Sequence, residues 1–179
     1  MKKIISTVLL AMISGAHAQV IIGDAIGTAD TKTSVLLEFA SNQNKGIILP
    51  YVRTMPASPA EGTLVLDASD PTRARVKYFN GNWIDLSAQD ADITAAMVNQ
   101  PAAILAAEAP GARTIIGALS SPADGVLVLE STTKAMVLPA VEDVQNIINP
   151  SPGMMVYINK SGTKRLAIFN GSKWSYWRP

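Results

Sequence analysis

Apolar runs of a few residues alternate along this chain with polar turns rich in Asn, Gly, Ser and Pro. Val35-Leu36-Leu37-Glu38-Phe39 is the first such run after the leader, and Ile47-Ile48-Leu49 is the second. The polar stretch 41–46 lies between them and ends in Gly46. Two apolar runs around a polar, glycine-containing turn predict a β-hairpin. Thr63-Leu64-Val65-Leu66-Asp67 follows Gly62 as a continuous apolar strand suited to burial on both faces. A polar turn over 68–72 precedes Arg75-Val76-Lys77-Tyr78-Phe79. Asn80-Gly81 then predicts a tight hairpin, because Asn and Gly tolerate positive φ, and Trp83-Ile84-Asp85-Leu86 is its return strand.

The same order recurs in the second half. Residues 34–83 and 125–174 each carry a Leu-Glu, an apolar run ending in Leu-Pro, a Ser-Pro before a glycine, an apolar strand, and Phe-Asn-Gly closing on Trp. A shorter leader recurs too, at 20–23 and 114–117. The expected fold class is therefore mainly β. It consists of two duplicated small β-hairpin-rich units joined by an Ala-rich, partly helical connector. The expected boundaries are 1–18 for a signal peptide, 19–87 for β unit 1, 88–112 for the connector and 113–179 for β unit 2. In the second unit Val141, Val144, Ile147 and Ile148 fall on one face of a helix of about two turns. The matching stretch of the first unit holds Pro56 and Pro59 and predicts no helix. In the connector, Asp92 suits the cap of a helix from Ile93 to Asn99, and Pro101 the start or kink of a second. A plain flexible linker reads equally well there.

The leader changes the picture of function. Lys2 and Lys3, an apolar stretch from Ile4 to Ile13, and Ala16-His17-Ala18 make a secretory signal with cleavage expected before Gln19. Its apolar stretch is too short for a permanent membrane span. The chain holds no Cys, and His17 is its one His. A mature chain without that leader has neither imidazole nor thiol. That composition excludes Ser-His-Asp and Cys-His catalysis, Cys/His zinc sites and disulfides. Charge is nearly balanced, with 15 Lys and Arg against 14 Asp and Glu. No basic block is present, so nucleic acid is not an expected partner. Charged residues are 16% of the chain, below the usual ~25%. Low charge in an exported protein fits surfaces that meet other chains.

Candidate chemistry is sparse. Asp67, Asp70, Asp85, Asp90 and Asp92 offer carboxylates, but their spacing lacks the glycine and distal Glu of an EF-hand loop. Solvated turns and a helix cap are the simpler reading, and nothing in the spacing favours a glycosidase pair. Gly23-Asp24-Ala25-Ile26-Gly27 reads as a turn. No metal, cofactor or catalytic residue is expected. The candidate ligand or interface residues are aromatic: Trp83, Trp174, Tyr176 and Trp177. Exposed Trp and Tyr stack on sugars or anchor protein contacts. Trp83 and Trp174 recur at matching places, which also fits plugs in the core of each unit. Tyr176 and Trp177 have no clear counterpart in the first unit, where Asp85 and Leu86 stand, which makes them the better interface candidates.

The string Leu129-Glu130-Ser131-Thr132-Thr133-Lys134, the run to Leu138-Pro139, Pro150-Ser151-Pro152-Gly153, an aliphatic-Tyr strand, and Phe169-Asn170-Gly171-Ser172-Lys173-Trp174 resembles a known module. It is common in secreted and cell-surface proteins of Bacteroidetes, and similar stretches occur in phage tail-fibre-like proteins. This chain departs from the pattern at Ala135 for the usual Gly, Ala140 for the second Pro, and Val141-Glu142 for the Arg-hydrophobic pair. The resemblance implies a structural or adhesive role outside the cell. Together with the residues, it leads to an expected non-enzymatic structural subunit, self-assembling or fibre-associated. Expected partners are further copies of the chain (a homo-oligomer) or other surface proteins. The rival expectation is a monomeric binding module for glycans or proteins that uses the C-terminal aromatics. No transmembrane helix is expected in the mature chain, and its expected location is the extracellular or outer-surface side, with the periplasm an alternative.

Overall fold

The computed structural model describes residues 19–41, 43–98, 100 and 113–177. The expected signal peptide and the helix expected at Pro101 lie outside those residues. The fold is mainly β. In the first half, β1 (Val20–Ile22), β2 (Val35–Phe39), β3 (Ile47–Ile48), β4 (Tyr51–Val52), β5 (Leu64–Asp67), β6 (Arg75–Phe79) and β7 (Trp83–Asp85) precede the short helix α1 (Thr94–Met97). The second half adds β8 (Thr114–Ile116), β9 (Leu127–Leu129), β10 (Ala135–Met136), β11 (Ala140–Val141), β12 (Met154–Ile158), β13 (Arg165–Phe169) and β14 (Trp174–Trp177).

Each half closes with the same pairings. β4 runs parallel to β5, and β5, β6 and β7 form an antiparallel meander. β11, β12, β13 and β14 repeat that order. Single hydrogen bonds match as well. Leu66 N–H donates to Pro50 O at 2.9 Å, and Tyr157 N–H to Pro139 O at 2.9 Å. Gly62 N–H donates to Phe79 O at 2.9 Å, and Gly153 N–H to Phe169 O at 2.8 Å. The Asn80-Gly81 turn joins β6 to β7 with Gly81 at φ 70°, as its sequence requires. The leaders form strands too, with β1 parallel to β2 and β8 parallel to β9.

The expected hairpins of β2 with β3 and of β9 with β10 do not form. β10 lies parallel on β2, and β3 lies antiparallel on β12. Each half lends its two-residue strand to the other. The turn Lys45-Gly46 leads not back along β2 but across to β12. The hairpin pattern is satisfied in composition, yet β3 takes the equally long β12 in place of β2, and β10 takes the five-residue β2 in place of the three-residue β9. The helix expected over 141–148 is also absent. Val141 belongs to β11, and only a 3-10 turn, Val144–Asn146, follows. Asp143 and Ile147 are both extended and bound that turn on either side. Val141, Val144 and Ile147 are buried as the periodicity suggested, whereas Ile148 is exposed. In the connector, α1 is shorter than the helix expected from Ile93 to Asn99. Its N-cap position is Ile93, and Asp92 accepts the Thr94 N–H from just outside.

Two apolar clusters form the core. One joins both halves, with Leu49, Leu66, Val76, Ile93 and Met97 against Met155 and Ile168. The other lies within the second half and includes Val141, Val144, Met154, Val156 and Ile158, flanked by Phe169 and Trp174.

A buried carboxylate pins the first loop. Glu38 in β2 is fully buried. It accepts from the Thr28 and Ala29 N–H groups at 2.8 Å each, from Lys32 Nζ at 2.6 Å, and from Gln19 Nε2. Gly27, at φ 73°, passes so close that a Cβ there would fall 2.2 Å from the Glu38 carboxyl carbon. Burial pushes this carboxyl up, but the Ala29 N–H, the Lys32 ammonium and the Thr28 N–H outweigh it and hold it below its usual value. The sign for stability follows. The unfolded chain takes up this proton first as pH falls, so Glu38 stabilises the fold above the ordinary Glu range (~4.3) and loses that effect as pH drops through its lowered folded value. Glu38→Gln should cost about 2 kcal/mol at neutral pH. Melting curves from pH 7 to pH 2 should show the gap between wild type and variant closing at the acid end. A gap that stays constant with pH would contradict this account.

Candidate functional site

The structure brings its distinctive chemistry to the seam between the halves. The two exchanged strands define that seam. Ala135 N–H donates to Ser34 O and Val137 N–H to Leu37 O, both at 2.8 Å. In the other direction Leu49 N–H reaches Gly153 O at 3.1 Å. Gly46 sits against β12 so tightly that a Cβ would lie 2.5 Å from Met154 Cγ and 2.8 Å from Met155 O. Only a residue without a side chain allows that approach. Tyr51 donates its hydroxyl to Pro152 O at 2.7 Å, and burial pushes its phenol up.

The aromatic candidates divide. Trp83 is half-buried and meets Phe79 edge-on with ring centroids 5.3 Å apart. Trp174 stands at the matching place, tilted on Phe169 at 5.2 Å, and packs on the second core cluster. Trp177 lies at the seam. Its indole N–H donates to Leu86 O at 2.8 Å, while 45% of the residue stays exposed. Ser175 and Asn170 extend the same contact, donating to Ser87 O at 2.6 Å and Gln89 O at 2.8 Å. Tyr176 is also 45% exposed. The Arg165 guanidinium carbon lies 4.3 Å from its ring centroid, within cation–π range. The structure thus joins Trp177 to the first half, and leaves Trp83 and Trp174 each on the aromatic neighbour across its own hairpin.

The aspartates serve ion pairs and turns. Arg75 bonds Asp85 and Asp90 at 2.6 Å each, and Lys77 bonds Asp67 at 2.7 Å. Asp67 and Asp70 also accept from Ser69 and Thr72 in their turns. Burial pushes Asp85 up, but the Ser87 backbone and hydroxyl and the Arg75 guanidinium outweigh it and hold it below its usual value. At matching places the halves solve one problem differently. Arg75 and Arg165 begin corresponding strands, and the carboxylate of Asp85 is replaced by the face of Tyr176. Among the described residues, no group of three His, Cys, Asp or Glu side chains gathers as a metal site. No helix among them is long and apolar enough to cross a membrane.

Sequence reasoning missed the exchanged strands and Glu38. The carboxylate left a signal, because Glu38 interrupts an apolar run, Val35-Leu36-Leu37-Glu38-Phe39, and buried charge requires partners.

Mainly β architecture, short strands shared between halves, and aromatic and backbone contacts at a seam make the two halves one interlocked β structure. Residues 115–178 match the family described as phage tail like trimerisation region. The match begins in β8 and ends just past β14, so it covers the second half and just over a third of the chain. It supports the similarity to phage tail-fibre-like proteins for that half. Comparison with curated proteins gives no match, and comparison with solved structures gives none.

Seam packing makes a direct prediction. Gly46→Ala should lower stability by about 1–3 kcal/mol through overpacking on β12. Gly125→Ala, whose Cβ would meet its nearest atom at 3.5 Å, should stay within about 0.5 kcal/mol. Denaturant titrations of both variants check this, and equal losses would contradict the close approach.

Proposed function

We propose that this chain is an exported, non-enzymatic structural subunit that assembles with copies of itself as a fibre-associated component at the cell surface. The observation that carries the reading is the match of residues 115–178 to a trimerisation region. Strand edges that cross between halves support it, because backbone groups left at such edges invite further chains. Exposed apolar residues on β3 and β9, namely Ile48 and Leu127, support it as well. The leader supports export, and the resemblance to surface modules supports a structural or adhesive role. Light scattering coupled to size exclusion checks the assembly. The purified chain should run at a multiple of its 18.9 kDa mass, less any leader removed. A monomer at every concentration would sink the proposal.

A second reading, binding of glycans or proteins by the C-terminal aromatics, rests on the 45% exposure of Tyr176 and Trp177. It expects polysaccharides to quench tryptophan fluorescence in wild type and not in Trp177→Ala. Unchanged fluorescence across a polysaccharide panel, with no effect of the substitution, would remove glycans from that reading.

A further inference from the structure

The two halves treat one carboxylate position differently. Glu38 and Glu130 close the matching Leu-Glu steps. In the first half the loop that starts at Gly23 folds over its carboxylate. Thr28 and Ala29 bring two amide N–H groups to Glu38, Lys32 brings an ammonium, and Gln19 adds its side-chain amide. Gly27 lies against the carboxyl carbon and fills the remaining space. The first half thus shows what this position accepts when it is filled. In the second half the loop that starts at Gly117 is two residues shorter. Among the described residues only Ser121 donates to the Glu130 carboxylate. Ser121 is itself buried, and its hydroxyl oxygen accepts the Ala123 N–H at 3.0 Å.

Beside Glu130 the second half holds an open cleft of about 460 Å³. Its walls are Glu130, Ser131, Thr132 and Lys134 on one side and Gly117 on another, with the buried Leu36 of the first half as its apolar patch. The Ser131 hydroxyl oxygen accepts the Thr133 N–H at 3.3 Å and the Lys134 N–H at 2.9 Å, which fixes the turn that carries Lys134. Glu130 and Lys134 line the same cleft, yet neither joins an ion pair among the described residues. Ser121 takes one Glu130 oxygen, and the other has no partner among those residues. A half-buried carboxylate met by one neutral donor falls well short of its hydrogen-bonding capacity.

We propose that this cleft binds a small aminated sugar, with the ligand's ammonium on Glu130 and its hydroxyls toward Lys134 and Thr132. The ammonium follows from the first half, where the matching carboxylate holds the Lys32 ammonium at 2.6 Å. An ammonium brings three donors, enough for the free Glu130 oxygen and a neighbouring hydroxyl. The hydroxyls follow from Lys134. A bare alkylammonium would offer Lys134 no acceptor, and a simple anion would meet the charge of Glu130. A ligand that pairs one cation with several hydroxyl oxygens suits both. The volume lies in the range of small-ligand sites. None of Trp83, Trp174, Tyr176 and Trp177 lines the cleft, so recognition rests on charge and hydrogen bonds rather than on stacking. The site lies within one chain and stands whether or not copies assemble.

Calorimetry and amide NMR shifts on the purified chain test this. Glucosamine should bind and shift the amides of Gly117, Ala118, Ser131 and Thr132. Glucose and N-acetylglucosamine lack the ammonium and should bind about tenfold more weakly. Glycine has an ammonium but no hydroxyls and should also bind more weakly. Glu130→Gln should lower the affinity for glucosamine about tenfold, to that for glucose. Thr132→Lys, at an exposed position, should weaken glucosamine through like-charge repulsion, and it decides the matter if Glu130→Gln disturbs the Ser121 loop. Equal binding of glucosamine and N-acetylglucosamine would overturn the ammonium contact. Tighter binding of glycine would overturn the sugar as the ligand. Shifts confined to Tyr176 and Trp177 would overturn the cleft in favour of the aromatics. The absence of any binding at millimolar glucosamine would overturn the proposal outright. A monomeric chain that binds glucosamine through Glu130 would support it while self-assembly fails.

Discussion

Backbone pairing of very short strands is the constraint on which this structure depends. β3, β4, β10 and β11 are two residues each, and strands that short hold no face of a sheet by themselves. Their N–H and C=O groups must nevertheless be met once they are buried. The chain has no disulfide to help, because it has no Cys. Leu-Pro steps solve the problem by redirecting the chain. Each run pairs in one direction before its proline, then turns and pairs parallel to the next strand after it. β3 therefore reaches β12 while β4 reaches β5, although only Leu49 and Pro50 separate them. The mixed core cluster, with Leu49 and Leu66 against Met155 and Ile168, is the packing consequence of that exchange.

Electrostatics supports this arrangement without directing it. Among the described residues Glu38 is the one fully buried carboxylate, and it serves a local end, tying the loop between β1 and β2 through two N–H groups and a lysine. Its counterpart Glu130 accepts from Ser121 within a loop that is two residues shorter. The register of β8 on β9 differs accordingly, with Val20 opposite Leu37 in one half and Thr114 opposite Leu127 in the other. A slip of two residues keeps the same face of a strand inward, so the loop can shorten without turning the apolar side outward. Pairs near the surface, such as the half-buried Arg75 with Asp85 and the more exposed Asp90, add little by themselves.

Much of this was legible from residues alone. The strands β5, β6, β12 and β13 and the Asn-Gly turns follow from apolar runs and turn chemistry that act within a few residues. The meanders are local, so local signals suffice. The exchange is not local. Val35 to Leu49 contains everything a hairpin needs, and nothing in it says that a better partner lies at Met154 and Met155, more than half the chain away. Periodicity likewise selected Val141, Val144 and Ile147 correctly as buried positions, yet a burial pattern is shared by a helix and by a strand followed by a tight turn. β-Branched residues and the extended Asp143 and Ile147 decided for the latter. Of the aromatic candidates, the unmatched Trp177 proved to sit at the seam, because the lack of a counterpart marked a place where the halves differ.

That difference matters for assembly. Two identical units related by a two-fold would satisfy one another and leave a finished surface. Here the relation is head-to-tail, so satisfaction of one side necessarily exposes the other. Val35 is covered because β10 has crossed to it, and Leu127 is uncovered because no third strand has crossed in turn. An open edge lined with Leu and Ile is an aggregation hazard unless its occupant is specified. Low overall charge has a physical sense here, because strong like charge along such edges would oppose any strand laid beside them.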